Sequence, residues 1–531
     1  MANNNNSGNA TTTATDDDTD ISTGQHKSPP ISQLLSTDSR RSCASCLGLL
    51  DDRYCNQLVD KVVDHLTGAD FGHQYKQFQL FVSLPVSVTL RHELLIQKLR
   101  HYRQLIDGGG GHQKPPKLPK LDIGGDGGNN CWEPASAAGI YSVKDIFRVI
   151  LVDGIERRLP GRPFDPNSVF SISLDIGHVD SDRECSEFYE RTPKSFFPKK
   201  CLKSTTKSFL NQSSILRALA TLDADVLFKW PLVANTDSTD CSLESIRVAS
   251  NPIYIAGRYQ KYSRHLSQTP WILDDGSRLM DDSVQDIIDR GVRQHVVCDE
   301  LRFSASGRED VDVRMLGRGR PFILEVVNPR TIELSGQQFL QITETINMAE
   351  NTSVTVRDLQ LVSKSGLQLL KDGENAKTKT YRALCCMSRP LSDNDLALLA
   401  ATEPFTINQK TPIRVLHRRT LSVRPKKIYK LGAERVTSDS LLTTTDDKEL
   451  TDKFGPHLDS IFYLYLTTEA GTYVKEFVHS DFGRTVPSLA TLLGNCRTDI
   501  IQLDVMEINT DWPPIVTTDD DNEVDNDMKI S

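Results

Sequence analysis

The sequence predicts a mixed α/β (α+β) protein with two structured domains, and three observations carry that prediction. At 531 residues the chain exceeds the roughly 250–300 residues at which a single hydrophobic core stops growing and chains divide. In its first half a short apolar run leads directly into a pattern of helical period, in FQLFVSLPVSVTLRHELLIQKLRHYRQLI from Phe78. In its second half the period becomes two. Val311, Val313 and Met315 alternate with Asp312 and Arg314, and Phe322, Leu324 and Val326 with Ile323, Glu325 and Val327.

The formal net charge of −9 argues at first against a nucleic-acid partner, but its distribution removes the objection. Residues 1–25 hold four acids and no base, and residues 511–531 hold seven acids and one lysine, so the ends account for the excess and the middle is nearly neutral. Local basic patches therefore decide the electrostatics. No apolar run of about 18 residues, the length of a membrane span, is present. MANNNNSGNATTTATDDDTD has neither the basic start nor the apolar core of a signal peptide. The expectation is a monomer of the cytoplasm or nucleus with no membrane partner. Eleven cysteines, an odd number, are expected as thiols in such a compartment and not as a disulfide framework.

Residues 1–38, rich in Asn, Thr and Asp, predict a disordered tail. Residues 39–248 predict the first domain. Leu58, Val62, Val63 and Leu66 recur at helical spacing, the strand–helix run follows, YSVKDIFRVILVDGIERRL resumes as a helix, and Phe170–Ile176 is an apolar strand. The Gly/Pro/Lys-rich insert at 107–130 has no core-forming pattern and interrupts this domain as a loop. Cys43 and Cys46 have the CxxC spacing that supplies two of the four ligands of structural zinc, or they are a pair of partly buried thiols. Between Arg191 and Phe209 six bases and three phenylalanines occur without an acid. Such a run is either a solvated face or a phosphate-contacting loop with interleaved aromatics.

From residue 249 the character changes. NPIYIAGRYQKYSRHLSQTPWILDDGSRLMDDSVQDII is dense in Arg, Tyr and Gln and ends in a helix carrying Val284, Ile287 and Ile288. The polar planar or forked side chains, among them Arg258, Tyr259, Tyr262 and Gln268, exceed what a packed core explains. The second domain is placed at 249–514, followed by an acidic disordered tail at 515–531.

At its centre is FSASGREDVDVRMLGRGRPFILEVVNP, Phe303–Pro329. The alternation predicts a hairpin turned at LGRGRP, with Asp310 projecting from the end of its first strand into a cleft. On residue types alone, Arg308 and Asp310 are either a surface ion pair beside a turn, worth about 0–1 kcal/mol, or the acid of an active site with an arginine beside it. SGREDVDVRMLG followed by GRPF and NP resembles the catalytic segment of the Pus-ten family of tRNA pseudouridine synthases. GRED is similar to the Gly-Arg-acceptor-Asp motif of other pseudouridine synthases, whose Asp is the nucleophile. The resemblance implies that Asp310 is the nucleophile and that Arg308 binds substrate. Asp312, two residues on, shares the same face if the segment is a strand and is the fallback.

Two further segments extend the resemblance. KTKTYRALCC, Lys377–Cys386, resembles the family's KTKxYxAL, which makes Tyr381 the tyrosine that stacks on the target base and helps position or relay a proton; without the match it is a core strand tyrosine. GTYVKEFVHSDFGRTVPSLATLLG, Gly471–Gly494, resembles the family's GTYI-basic-EFV…D-(F/L)-GR. Lys475 falls at the basic position, implying a cation that keeps Asp310 ionised, and Leu492 or Leu493 falls at the apolar wall of the site. Between these segments, residues 404–433 carry Lys410, Arg414, Arg418, Arg419, Arg424, Lys426, Lys427 and Lys430 and no acid. Ile413, Val415 and Leu416 suggest a strand that exposes Arg414, Arg418 and Arg419 to RNA phosphates.

The resemblance is close over about 250–510 and loose before it. It implies an N-terminal THUMP-like RNA-binding domain and a C-terminal pseudouridine synthase domain with a central, mostly antiparallel sheet. It also implies tRNA as partner, the T-loop uridines at tRNA positions 54 and 55 as substrates, and no cofactor for catalysis. The family's N-terminal domain carries a second CxxC. Here that point reads Cys131-Trp-Glu-Pro134, so a structural zinc held by Cys43, Cys46 and Cys131 lacks a thiolate. A non-catalytic RNA-binding or tRNA-folding protein retaining the fold would show a degraded Asp, Tyr or Lys, and all three are present. A nucleotide-dependent transferase needs a phosphate loop or dinucleotide fingerprint, and GRGRP is neither.

Overall fold

The computed structural model describes residues 43, 45–68, 71–107, 142–196, 211–223, 226–227, 230, 240–349, 353–376, 378–437 and 455–516. The expected tail at 1–38, the insert beyond residue 107, Cys131 and the acidic tail beyond residue 516 lie outside the described residues, as does most of the basic run after Phe196.

The first half builds α1 (Asp52–Thr67), β1 (Gln79–Ser83), α2 (Val86–Asp107), α3 (Val143–Arg158), β2 (Phe170–Gly177), α4 (Ser181–Arg191), α5 (Pro193–Phe196), α6 (Gln212–Leu219) and β3 (Ser242–Ser250). β1 pairs with β2 in parallel and β2 with β3 antiparallel. The helical spacing of Leu58, Val62 and Leu66 on α1, with Phe147, Leu151 and Ile155 on α3, buries one apolar face against Leu80, Val82, Ile172 and Leu174 of the sheet. Asp51 starts α1 by accepting from the N–H groups of Arg53 and Tyr54, and Ser142 does the same for α3 through Asp145 N. A smaller core joins Leu90 and Leu94 of α2 to Phe188 of α4 and Ile215 and Leu219 of α6.

Only Asn251 and Pro252 separate β3 from β4 (Ile253–Lys261), the first strand of a second, ten-stranded sheet. The rest of the chain is α7 (Val284–Arg293), β5 (Glu300–Ala305), β6 (Val313–Val327), α8 (Gly336–Asn347), β7 (Val354–Val362), α9 (Gly366–Ala376), β8 (Lys379–Met387), α10 (Asp393–Ala400), β9 (Phe405–Lys410), β10 (Val423–Arg435), β11 (Ile461–Thr468), α11 (Val474–His479), β12 (Thr485–Val486), α12 (Leu489–Leu492) and β13 (Thr498–Ile508). The strand order is β12-β9-β10-β11-β8-β13-β6-β4-β7, with β5 also on β6. The sheet is mostly antiparallel, as expected, with a parallel β13–β6 pairing. Alternation along β4 supplies both faces. Ile255 meets Ile288 of α7 and Ile342 of α8, while Tyr254 and Ala256 meet Leu370 of α9.

Two expected local structures are corrected. The hairpin expected over 311–327 is one continuous 15-residue strand, β6. LGRGRP does not turn the chain. It forms a bulge in which the β4 register slips from Tyr259↔Arg320 to Lys261↔Met315. Gly317 and Gly319 have φ of 59° and 86°, and a Cβ would fall 1.8 Å from Met506 O or 2.6 Å from Tyr259 O, so only glycine fits between the neighbouring strands. The hairpin partner of β6 is β5, Ala305 facing Phe322. The second correction concerns Ile413–Val415, expected as a strand. Pro412 begins a single 3₁₀ turn there, inside the loop that joins β9 to β10.

Candidate active site

Asp310 lies in the loop 306–312, where the chain has left β5 and not yet entered β6. This loop has little regular hydrogen bonding of its own, and buried side chains hold its carbonyls instead. Arg320 Nη1 donates to Ser306 O at 2.7 Å and Gln268 Nε2 to Gly307 O at 2.9 Å. Lys261 Nζ donates to Asp310 O and Val311 O at 3.1 and 2.9 Å, and Arg264 Nη1 to Asp312 O at 3.0 Å. Burial pushes the Lys261 ammonium down to about 8, against the pull of Glu309. Glu309, buried beside Asp310, accepts from Arg320 Nε at 2.8 Å and from the Tyr259 hydroxyl at 2.9 Å. An anchored Glu309 and clamped carbonyls on both sides fix the backbone from which the Asp310 carboxylate projects, 37 % exposed.

Around that carboxylate the charges form a ladder. Asp310 Oδ2 accepts from Arg414 Nη1 at 2.8 Å, and Arg414 Nε donates at 2.7 Å to Glu476, which is 2 % exposed. Lys475 Nζ donates to both oxygens of Asp312 at 2.6 and 2.8 Å and stands 3.6 Å from Asp310 Oδ2. Surrounding protein atoms push the Asp312 carboxyl up, but the Lys475 hydrogen bond and charge bring it below its ordinary value. Burial opposes the charge of Arg414, and Glu476 and Asp310 more than offset it. The two carboxylates share Lys475 because both lie in the loop, not because they share a strand face. The ion pair considered between Arg308 and Asp310 does not form: Asp310 turns to Arg414, and Arg308 is exposed with no ion pair among the described residues.

The remaining expected site residues spread around this centre. Tyr381 sits in β8 between Leu466 of β11 and Val505 of β13, 8 % exposed. Burial raises its hydroxyl to about 12, while the Arg320 guanidinium pulls the other way, which places the tyrosine within electrostatic reach of the residue that anchors Glu309. Leu492 ends α12 and packs, partly buried, against the main core, with Leu493 fully inside it. Arg418 and Arg419 are exposed in the β9–β10 loop that also carries Arg414.

Sequence reasoning missed Lys261, Arg264, Glu309, Arg320 and Glu476. The density of polar residues at and just beyond the end of β4 was the available signal for the first two. It could not say that their partners are main-chain carbonyls some fifty residues later. For zinc, Cys43 is exposed and Cys46 buried, and the contact between their thiols lowers the first and raises the second. His92 lies close by, Nδ1 3.3 Å from Ser45 Oγ. Among the described residues no three His, Cys, Asp or Glu side chains gather as a ligand set, and Cys131, the third expected ligand, lies outside them. No step is derived through a metal.

The chain matches two known families: "Pus10, C-terminal" over residues 254–509 and "Eukaryotic Pus10, N-terminal" over residues 133–248. It is 33% identical over 477 residues to the tRNA pseudouridine synthase Pus10 of Xenopus laevis, spanning 89% of this chain and 81% of the relative. Against the Homo sapiens protein of the same name identity is 33% over 491 residues, 91% of this chain and 82% of the relative. The Thermofilum pendens protein of that name is 34% identical over 270 residues, 51% of this chain and 55% of the relative. The archaeal match thus covers about half of the chain, whereas the two vertebrate matches cover most of it. The chain belongs to the Pus10 family of tRNA pseudouridine synthases.

Proposed function

We propose that the chain isomerises uridine to pseudouridine in the T-loop of tRNA, at position 54, 55 or both, with Asp310 as the reacting carboxylate. In this reaction the C1′–N1 bond breaks, the base turns, a C1′–C5 bond forms, C5 loses its proton and N1 gains one. Composition and oxidation state are unchanged, so the chemistry asks for no redox group. It asks for a carboxylate near the anomeric carbon, to attack it or to take a proton and stabilise positive charge. The observation that carries the reading is the half-exposed Asp310 on a clamped loop, flanked by Arg414 and Lys475. Those cations aim the carboxylate and balance its charge. Tyr381 is assigned to the target base, by stacking and by its hydroxyl, Leu492 to the apolar wall, and Arg308, Arg418 and Arg419 to the RNA backbone. The first domain, in this reading a THUMP-like module, holds the tRNA away from the reacting uridine.

The test is incubation with an unmodified tRNA transcript, then carbodiimide labelling and primer extension, because pseudouridine has the mass of uridine. A stop specific to the T-loop is expected. Tight tRNA binding with no stop at any uridine would instead identify a non-catalytic RNA-binding or tRNA-folding protein.

A further inference from the structure

Immediately after α11, Ser480, Asp481, Phe482 and Gly483 have φ of 67°, 48°, 56° and 78°. Residues with a Cβ avoid this left-handed region, and three of them in succession form a turn that the surroundings must hold. Inside the turn, Gly483 N donates to Ser480 O, Arg484 N to Asp481 O and Thr485 N to Ser480 O. Buried Asp481 lies 3.3 Å from Arg484 Nε, and its N–H donates to His479 Nδ1. Arg484 Nη2 donates to Thr411 O at 2.6 Å, and its carbonyl accepts from Lys410 N, which ties the turn to the root of the basic β9–β10 loop. This strained, well-anchored turn displays Phe482 at 93 % exposure. Among the described residues nothing covers the ring, although a phenyl group is among the side chains that gain most from leaving water.

Beside the ring is an open groove of about 650 Å³ with His479, Ser480, Thr491, Asn495 and Arg497 among its walls. That volume falls in the roughly 300–1,000 Å³ typical of small-ligand sites. Its chemistry is an aromatic face, side-chain hydrogen-bonding groups, one cation in Arg497, one acid in Asp499, and the apolar side chains of Val486 and Ala490. His479 follows Lys475 by one helical turn, about 6 Å along the axis, a distance on the scale of one or two nucleotide steps.

We propose that Phe482 and this groove form a subsite for a nucleotide flanking the target uridine, whose base stacks on the ring. The inference rests on the proposed synthase function. It supplies what flipping a uridine out of its loop requires: a place that fixes the neighbouring nucleotide while the target turns toward Asp310. Stacking of this kind tolerates any base, so the subsite contributes to holding and register, not to sequence choice.

The experiment uses the full chain and tRNA transcripts carrying one 5-iodouridine, on either side of the target in turn. Irradiation is expected to link one of the two to Phe482, as read by peptide mapping. In single-turnover assays Phe482→Ala should raise the half-saturating tRNA concentration about ten-fold, within the range one stacked base carries, with a plateau rate within two-fold of wild type. Phe482→Trp should restore affinity. The side chain is solvent-exposed, so an unchanged melting temperature for the alanine variant checks that folding is intact. Unchanged half-saturation in Phe482→Ala together with no cross-link overturns the proposal. So does a lower plateau at unchanged half-saturation, which would put the ring in the chemical step. Cross-linking and filter binding need no product, so a wild-type protein without synthase activity would sink the proposed function while the subsite is still read.

Discussion

Among the described residues Arg414, not Lys475, makes the closest cationic contact with Asp310: Nη1 lies 2.8 Å from Oδ2, against 3.6 Å for Lys475 Nζ, which is bound to Asp312 at 2.6 Å. The two cations come from different supports. Lys475 is on α11, against the core, whereas Arg414 is on the exposed β9–β10 loop and is steadied by buried Glu476. The proposed RNA partner therefore has a handle on Arg414 that it lacks on Lys475. Phosphate competes for a guanidinium in the fork geometry that carboxylates use.

Asp310→Asn should abolish pseudouridine while leaving tRNA affinity within about two-fold, because the carboxylate acts in the chemical step. Asp312→Asn should retain activity, reduced by the loss of a partner that holds Lys475. Primer-extension yield under single turnover separates them. If the Asp310 variant keeps more than about one percent of the rate and the Asp312 variant keeps none, the nucleophile has been assigned to the wrong carboxylate.

The split between the cations is measurable. Lys475→Met should slow the plateau rate strongly with little change in half-saturation, and Lys475→Arg should recover much of it. Arg414→Met should change both. Once Asp310 is Asn, neither cation has that charge left to orient, so in a binding cycle the coupling of Asp310 with Arg414 should exceed that with Lys475. Equal couplings would mean that the 2.8 and 3.6 Å contacts are interchangeable in solution.

Lys261 gives the site a pH limit. Burial lowers its ammonium to about 8, and it supplies three carbonyls, those of Leu266, Asp310 and Val311. As pH rises through that value the group loses a proton and keeps two N–H donors for three acceptors, so the loop loosens and the rate falls. The single-turnover profile should show an alkaline limb near pH 8 that moves upward in Lys261→Arg. A limb that stays near 8 in the arginine variant belongs to another group.

Much of this site was legible in the sequence where the signal was local. Tyr381, read without its motif as a core strand tyrosine, does lie in a strand, β8, and the spacing of Val284, Ile287 and Ile288 gave α7. Asp310 was legible as chemistry through its motif, but its setting was not. A bulge and a turn are both announced by Gly-Arg-Gly; what decides between them is the approach of Met506 O and Tyr259 O from other strands. Arg264 reaches Asp312 O and Asp504 from opposite ends of the domain, a pairing that sequence order conceals. Lys426 illustrates the same limit. It counted as one of the free bases of the strip, yet it is tied to Glu469 at 2.8 Å.

That distinction sets the salt prediction. Arg418 and Arg419 are exposed, and reversing both to Glu should weaken binding to any tRNA and lower the log–log salt slope by about 1 per lost phosphate contact. Lys426→Glu should change the slope less and the melting temperature more. An unchanged slope in the Arg418/Arg419 double variant would mean that the loop does not face RNA.

Asp504 is the point where stability and site geometry meet. Nearly buried on β13, it accepts from Arg264 Nη2 at 2.6 Å, Arg314 Nε at 2.9 Å and Arg382 Nη2 at 2.9 Å. Burial pushes its carboxyl up, but the three guanidiniums hold it below the usual range. A carboxyl depressed in the folded state stabilises that state fully above its unfolded value, about 3.9, and loses the contribution as pH falls through the folded value. Asp504→Asn removes the carboxylate that these three guanidiniums share. At pH 7 it should cost about 3–5 kcal/mol, the loss seen when one member of a buried pair is removed. Its stability should also fall less steeply than wild type between pH 4 and 2, because the group responsible for part of that slope is gone. Arg264 also holds the Asp312 carbonyl, so catalysis should fall below what the unfolded fraction explains, with Asp504→Glu recovering part of it. Urea midpoints followed across pH, beside single-turnover rates at pH 7, check both halves. An acid slope identical to wild type would show that Asp504 is not the carboxylate that the three arginines hold ionised.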